Sequence, residues 1–179
     1  MSPTVVMREA SFWDASALVR LRRSIRSEGA FFYREPDEPG LGWWRTVREI
    51  DALARSTQGL CVVLQLDEQL AGYLILRSGI HRRTRHVAWL EMGLDATARG
   101  KGHGRRLLEA GMTWMEAHPQ LAQVHLSVLG SNDAALALYR SAGFVEVGRM
   151  PDGVVFKDNQ RTDEVLMMRQ VKEIPPRLR

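Results

Sequence analysis

Residues 98–105 read ARGKGHGR, with Gly100, Gly102 and Gly104 at alternate positions among Arg99, Lys101, His103 and Arg105. Glycine lets the main chain take positive φ and approach a ligand without a Cβ in the way. The apolar run HVAWLEMGL (86–94) reads as a strand entering this turn, and the segment after it reads as an amphipathic helix. A strand, a glycine-rich turn and a helix start gather free N–H groups, and the helix dipole adds positive potential. Together these suit a phosphate. A mononucleotide P-loop is excluded, because Gly104 is followed by Arg105 and Arg106 in place of Lys-Ser/Thr. A dinucleotide turn is excluded too: the spacing is GxGxG, and QLAQVH (120–125) holds no acid for a ribose. The plain alternative is a glycine-rich turn with no ligand. Against it stands the order strand, basic loop, helix, strand, capped helix around it.

The elements that must position this loop can be read along the chain. TVVMREA (4–10) has strand composition and is followed by Ser11 and Asp14, either of which can cap a helix. From Trp13 to about Arg26, residues Ala17, Leu18, Leu21 and Ile25 fall on one stripe and predict an amphipathic helix. EGAFFYREPDEPGLG (28–42) mixes prolines and glycines with aromatics and acids, which predicts an irregular loop. A second helix follows over 43–56. LCVVLQL (60–66) and LAGYLIL (70–76), joined by DEQ, predict a hairpin. Over 104–117, Leu107, Leu108, Gly111, Met112 and Met115 recur at helical spacing and stop at His118-Pro119. QVHLSVLG (123–130) is the next strand. SNDAALALYRSAGF (131–144) is a short helix, capped by Ser131, Asn132 or Asp133 and ended by Gly143. FVEVGRM (144–150) and DEVLMMRQV (163–171) close the chain as strands. Strands interleaved with helices predict an α/β or α+β fold around a mixed sheet. No linker or repeat divides it, so one domain is expected over 1–172, with a frayed tail at 173–179.

Composition narrows the function. A chain of 179 residues, 45% hydrophobic, can fill one core. The net charge of +4 leans toward an anionic ligand, but the excess is spread along the chain. Its densest basic stretch, HRRTRH (81–86), is too short and too poor in aromatics for a nucleic-acid arm, so no nucleic-acid partner is expected. Cys61, the single cysteine, sits in an apolar run and reads as a core residue. It rules out an intrachain disulfide, and no residue cluster suggests a metal. The N-terminus lacks a secretory apolar region and no run reaches the length of a membrane span, which predicts a cytoplasmic protein.

Two motifs carry a family resemblance. RGKGHG (99–104) resembles the Gln/Arg-x-x-Gly-x-Gly/Ala signature of the GNAT N-acetyltransferase superfamily, with Arg99, Gly102 and Gly104 at the defining positions. LSVLGSNDAALALYRSAGF (126–144) resembles the same family in Asn132, the spacing to Ala135, Tyr139 and the Gly143-Phe144 end. The close match spans about 86–150, and the flanking elements agree in order alone. For a small bacterial-type single-domain member, the resemblance implies a mixed, mostly antiparallel sheet of about six to seven strands flanked by four helices. It also implies a splay between the strands at 86–94 and 123–130. The implied reaction moves an acetyl group from acetyl-coenzyme A, the co-substrate, to a primary amine by direct attack in a ternary complex. The acceptor would be a small molecule: an amino acid, a polyamine or an antibiotic-like amine. A peptide or protein N-terminus, and a non-catalytic acyl-coenzyme A sensor, are the alternatives.

Carried onto this chain, the resemblance gives the coenzyme's pyrophosphate to the loop amides at 100–104, His103 included, with Arg99 and Lys101 beside them. Arg105, Arg106 or Arg140 is left for the 3′-phosphate, unless these helix arginines are only solvated. The main chain of Met92, Gly93 and Leu94 would pair with the pantetheine arm, and an N–H near the splay would polarise the thioester carbonyl. Asn132 and Ala135 would flank that arm, although Asn132 can equally act as a cap alone. Tyr139 is the expected general acid for the departing thiolate, since a phenol's pKa lies not far above a thiol's. An aromatic filling the core is its alternative. Glu91, inside WLEMGL, is the candidate base, with His86 and His125 behind it. A solvated or paired strand acid is the alternative there. The position of His103 is often aliphatic in the family, and the resemblance gives the imidazole itself no role. Acceptor choice is expected from 28–44, 77–86 and 150–162, where aromatics with Glu35, Asp37 and Glu38 suit a cationic amine. A homodimer is also expected.

Overall fold

Seven apolar-rich strands hydrogen-bond into one sheet, and the alternation of their side chains decides what covers each face. The computed structural model describes residues 3–55 and 59–174. Within them run β1 (Val5–Glu9), α1 (Ala15–Ser27), α2 (Trp43–Arg55), β2 (Gly59–Leu66), β3 (Gln69–Ser78), β4 (Val87–Leu94), α3 (His103–Ala117), β5 (Gln123–Leu129), α4 (Asp133–Ser141), β6 (Val145–Val155) and β7 (Arg161–Gln170). Strand order across the sheet is β1-β2-β3-β4-β5-β7-β6. Every pairing is antiparallel except β4 with β5. The mixed, mostly antiparallel sheet with four helices is the architecture that the family resemblance implies.

Two cores follow from the period-two alternation of the strands. On β3, Leu74 and Leu76 belong to a cluster with Leu107, Leu108, Met112 and Met115 of α3 and with Leu136 and Tyr139 of α4. Tyr73 and Ile75 belong to a second cluster with Leu18, Leu21 and Ile25 of α1 and Val47, Ile50 and Leu53 of α2. The sheet is therefore the middle of three layers. Cys61 packs in the second core, as expected, and burial there pushes its thiol up to about 12.

Local departures from the sequence reading have local causes. α1 begins at Ala15, two residues later than expected, because Phe12–Asp14 form a 3-10 turn. Asp14 is buried and accepts from the Ser11 N–H at 2.7 Å and from both Arg8 Nη atoms, so Arg8 fixes the helix entry to β1. Ala15, and not Ala17, takes the buried seat at the head of the stripe. β6 runs on past Met150 through Pro151 to Val155, with register shifts opposite β7. It is an edge strand, where a proline and a bulge leave no ladder bond broken. The second helix's expected last residue, 56, and residues 175–179 of the expected tail lie outside the described residues. Among the described residues no helix is long and apolar enough to cross a membrane.

α3 approaches the sheet closely at Gly111, where an added Cβ would lie 3.0 and 3.2 Å from the Leu74 methyls. Gly111→Leu should overpack this contact at a cost of roughly 1–3 kcal/mol. The expected outcome is a melting temperature lower by about 3–10 °C, read by thermal denaturation of the protein alone.

Candidate active site

The parallel pair β4–β5 is registered only at Val87–Gln123, Ala88–Val124 and Trp89–His125. Beyond Trp89 the two strands separate. β4 stays paired to β3 as far as Leu94, and β5 stays paired to β7 as far as Leu129. The expected splay is present, and residues 90–94 have no strand partner on the β5 side. Main-chain N–H and C=O groups on that side are left for an extended ligand to pair with. Met92 and Leu94 face the α3 core, while Glu91 and Gly93 face the α1 side. Gly93 has no room for a side chain, since a Cβ there would lie 2.7 Å from the Tyr73 ring.

The glycine loop follows directly. Gly100 and Gly102 take φ of 69° and 79°, and a Cβ at either would project into open space. No side chain caps α3 at Gly102, so its first-turn N–H groups remain available to an anion. Gly104 serves packing: a Cβ there would lie 3.1 Å from Leu94 and 3.2 Å from Leu138, so it lets α3 settle between β4 and α4. The loop's uncapped N–H groups and open backbone suit an anion. The side chains around it do other work than the sequence expects. Arg99 donates to both Glu28 carboxylate oxygens at 2.6 and 2.8 Å and to the Leu94 carbonyl, and it lies 5.0 Å from the Phe31 ring centre. Its guanidinium is thus committed to joining the loop to β4 and to residues 28–31. Lys101 donates to the Thr97 carbonyl at 2.8 Å and stays exposed. His103 is 7% exposed and its Nδ1 has no hydrogen-bond partner. Arg105 reaches Ser141 of α4 at 2.9 Å, and Arg140 lies 3.8 Å from Glu146.

α4 places the remaining expected residues on the same side. Asn132 caps it, accepting from the Ala135 N–H at 3.1 Å. Gly143, at φ 83°, ends it and turns Phe144 against Tyr139, the ring centres 5.6 Å apart. Tyr139 is buried, and burial pushes its phenol up to about 12. A phenol this weak as an acid is protonated at neutral pH and suited to donate a hydrogen bond to developing negative charge. The gap to a thiol is wider than the unperturbed values suggest.

Glu91 departs most from the sequence reading. In sequence it is an acid alone among apolar neighbours. In the fold it accepts from the Tyr73 hydroxyl at 3.0 Å and from Arg77 at 3.0 Å, with Arg22 Nη2 at 3.4 Å. Arg22 also pairs with Glu49 at 2.7 Å and lies 5.0 Å from the Tyr73 ring centre, and Arg77 pairs with Glu49. β3 and α2 bring these charges in from positions 77 and 49, far from 91 in sequence, which is why no local pattern reveals them. Burial alone would raise the Glu49 carboxyl, but Arg22 and Arg77 outweigh it and hold it below the usual carboxylate range. Tyr73 is pushed up by burial and by Glu91.

A cleft of about 700 Å³ opens beside this cluster, between α1 and residues 32–41, with Tyr73 and Glu91 in its wall. The expected acceptor segments contribute unequally. The 28–42 loop crosses the cleft: its Tyr33 hydroxyl meets Ser127 of β5, and Ser127 donates to Glu164 of β7. Burial pushes the Tyr33 phenol up to about 12. Lys157, in the β6–β7 turn, holds Asp37 of the same loop at 2.6 Å. From 77–86, Arg77 alone joins the ion cluster. His125 stacks edge-on to Trp89 at 5.5 Å, at the root of the splay, and burial lowers its pKa. Arg22, Arg23 and Arg26, which line the cleft, read in sequence only as the polar face of α1.

Residues 20–144 match the acetyltransferase (GNAT) family. N-alpha-acetyltransferase RimI of Mycobacterium tuberculosis is 46% identical over 57 residues, which cover 32% of this chain and only 34% of that relative. An acetyltransferase of the GNAT family from Streptococcus pneumoniae superposes with a TM-score of 0.89 at 26% identity, over 93% of this chain and 99% of the other. YncA of Salmonella typhimurium, solved with its cofactor acetyl-CoA, gives 0.85 at 18% identity over 97% of each chain. A phosphinothricin acetyltransferase from Sinorhizobium meliloti in complex with AcCoA gives 0.80 at 22% identity, over 95% and 89%. The last two share the fold.

Glu49 sits between two guanidiniums with its side chain 15% exposed. Glu49→Gln should cost about 2–3 kcal/mol at neutral pH, less than a fully buried pair because some solvent reaches it. The carboxyl is held low in the folded state, so its contribution is complete above the unfolded value of 4.5 and fades as pH falls through the folded value. Urea unfolding of wild type and variant should therefore show a gap that is constant above the unfolded value and closes as pH falls below it.

Proposed function

The chain belongs to the acetyltransferase (GNAT) family, and we propose that it is an acetyl-coenzyme A-dependent N-acetyltransferase acting on the primary amine of a small molecule. The observation that carries this reading is the release of β4 from β5 beyond Trp89, leading straight into an uncapped α3 behind Gly100 and Gly102. An extended, anion-tipped ligand suits that arrangement, and acetyl-CoA in the YncA and phosphinothricin acetyltransferase structures supports its identity. When bound, acetyl-coenzyme A supplies an acyl group on a thioester.

The chain's own residues would divide the work. Loop amides at 100–104, with Lys101 and the first turn of α3 through Arg105, hold the pyrophosphate. The main chain of Met92, Gly93 and Leu94 orients the pantetheine arm, with Asn132 and Ala135 beside it. Tyr139 keeps its proton at neutral pH and donates to the leaving sulfur. Glu91 marks the acceptor side of the splay. As an ion-paired carboxylate it orients an ammonium, and water relays the proton that the amine loses on attack. A cleft of about 700 Å³ falls within the range that encloses small ligands, which favours a small acceptor. The likeness to RimI motivates a second reading, acetylation of a polypeptide N-terminus.

A coenzyme-release assay with acetyl-coenzyme A against amino acids, polyamines, aminoglycosides and peptides tests both readings. Turnover on a free small amine is expected, and turnover on peptides alone would select the second. Tyr139→Phe should keep the melting temperature and acetyl-coenzyme A affinity of the wild type while kcat falls by about 100-fold or more. A near wild-type kcat would remove Tyr139 from the chemistry. Gly102→Val should weaken coenzyme binding by calorimetry, because a β-branched residue is strained at φ 79° and would shift the loop main chain.

A further inference from the structure

Two acids stand on opposite sides of the gap, and they are committed differently. Trp89 of β4 is level with His125 of β5, and their rings meet on one face of the sheet. Two residues on, Glu91 and Ser127 therefore face one another across the opening on that same face. Glu91 accepts from Tyr73 and Arg77 and pairs with Arg22, so its charge is shared between two guanidiniums. Ser127 leads to a different acid. Its hydroxyl donates to Oε1 of Glu164 on β7, and among the described residues no cation pairs with Glu164. A carboxylate only accepts and a serine has one hydrogen to give, so Tyr33 is the donor where its hydroxyl meets Ser127. The Tyr33 oxygen keeps its lone pairs for the cleft that it lines, where the side chain is exposed. Its loop is tied on both sides of this contact, by Glu28 to Arg99 and by Asp37 to Lys157. His125 stays off the chain: its ring lies edge-on to Trp89 and its Nε2 is 3.3 Å from Gln123.

We propose that Tyr33, Ser127 and Glu164 form a proton relay out of the cleft, with Glu164 the base that takes the proton of the acceptor ammonium. The relay stands on the hydrogen-bonded chain; the reacting amine rests on the transferase reading above. Glu91 orients the ammonium, and its N–H passes a proton to the Tyr33 oxygen. The Tyr33 proton moves to Ser127 and the Ser127 proton to Glu164 in the same displacement, so neither hydroxyl carries a charge on the way. The neutral nitrogen then bonds to the acetyl carbon as the carbon–sulfur bond breaks. Tyr139 protonates the sulfur, and the second proton leaving nitrogen restores Tyr139 through solvent. Glu164 returns its proton to solvent when product leaves. One ammonium and one thioester thus give one amide, one thiol and one free proton. The charged and titratable groups around the relay are Glu91, Arg22 and Arg77 across the gap, His125 on β5, and the Asp37–Lys157 pair; β6 sets Met150 and Gly153 against Glu164.

Relay and turnover can be measured separately on the full chain. NMR of protein labelled with carbon-13 at tyrosine Cζ, without coenzyme or acceptor, reads the relay. The Tyr33 signal, assigned by its loss in Tyr33→Phe, should move with pH as Glu164 takes up its proton, and that movement should vanish in Glu164→Gln and Ser127→Ala. Coenzyme release with the best acceptor from the amine panel reads turnover. Glu164→Gln should lower kcat at neutral pH by about 100-fold while the acceptor KM and acetyl-coenzyme A affinity stay near wild type. The deficit should close as pH rises through the acceptor's own pKa, because an amine that is already neutral needs no base. Ser127→Ala and Tyr33→Phe should each lower kcat about tenfold or more, and Ser127→Thr, which keeps the hydroxyl, should recover most of it. A Tyr33 signal indifferent to Glu164, or a Glu164→Gln deficit that is absent or equal at every pH, would overturn the proposal. A coupled Tyr33 signal with no coenzyme release from any amine would support the relay and sink the transferase reading. Turnover that does not respond to Glu164 would do the reverse.

Discussion

Three parallel register pairs between β4 and β5, and then none, are the constraint on which the rest depends. Each strand keeps its outer neighbour past the point of separation, so the opening costs the sheet only one set of ladder bonds. Both strands are anchored from below by Leu90, Val124 and Leu126 in the core under α3. The gap is thus a fixed feature of a stable sheet. It exposes main-chain groups of β4 in the middle of the molecule, with a helix N-terminus at one end and an arginine-lined cleft on the other face. The glycine loop and the cleft beside Glu91 both take their positions from it.

Two ion clusters tie the faces of this gap together. Arg99 spans from the Leu94 carbonyl at the end of β4 to Glu28 and Phe31 at the start of the 28–42 loop. The same loop reaches the far side through Tyr33 on Ser127 and Glu164. The glycine loop and the 28–42 segment beside the cleft are consequently joined through one guanidinium. On the other side of the cleft, Glu49 and Glu91 alternate with Arg22 and Arg77 around the Tyr73 ring. That ring is seated where Gly93 leaves space for it. Charges of both signs are held in place, so the cleft wall has a defined polarity before any substrate enters.

Much of this was legible in the residue order. The glycine spacing, the Asn132 cap to Ala135 and the Gly143 stop are local devices whose physics acts over a few residues, and each is found where its pattern indicates. The element order was legible for the same reason, since side-chain periodicity reports a strand or helix directly. Extensions such as β6 through Pro151 were not, because only its place at the sheet edge makes a proline tolerable there. Nor was the role of Arg99. Its motif position suggests a phosphate ligand, and only the folded chain brings Glu28 to it.

By itself, then, the sequence determined the fold class, the phosphate-suited loop and the helix that carries Tyr139, because local backbone chemistry and hydrophobic period dictate them. The tertiary structure decided what the charges do. Glu91 became an ion-paired wall because β3 and α2 deliver Arg77 and Glu49 to it. Arg22, indistinguishable in sequence from the solvated arginines of any helix, became an ion-paired wall residue because α2 and β4 deliver Glu49 and Glu91 to it. Electrostatic roles depend on distances between residues far apart in the chain, and those distances exist only once the sheet has formed.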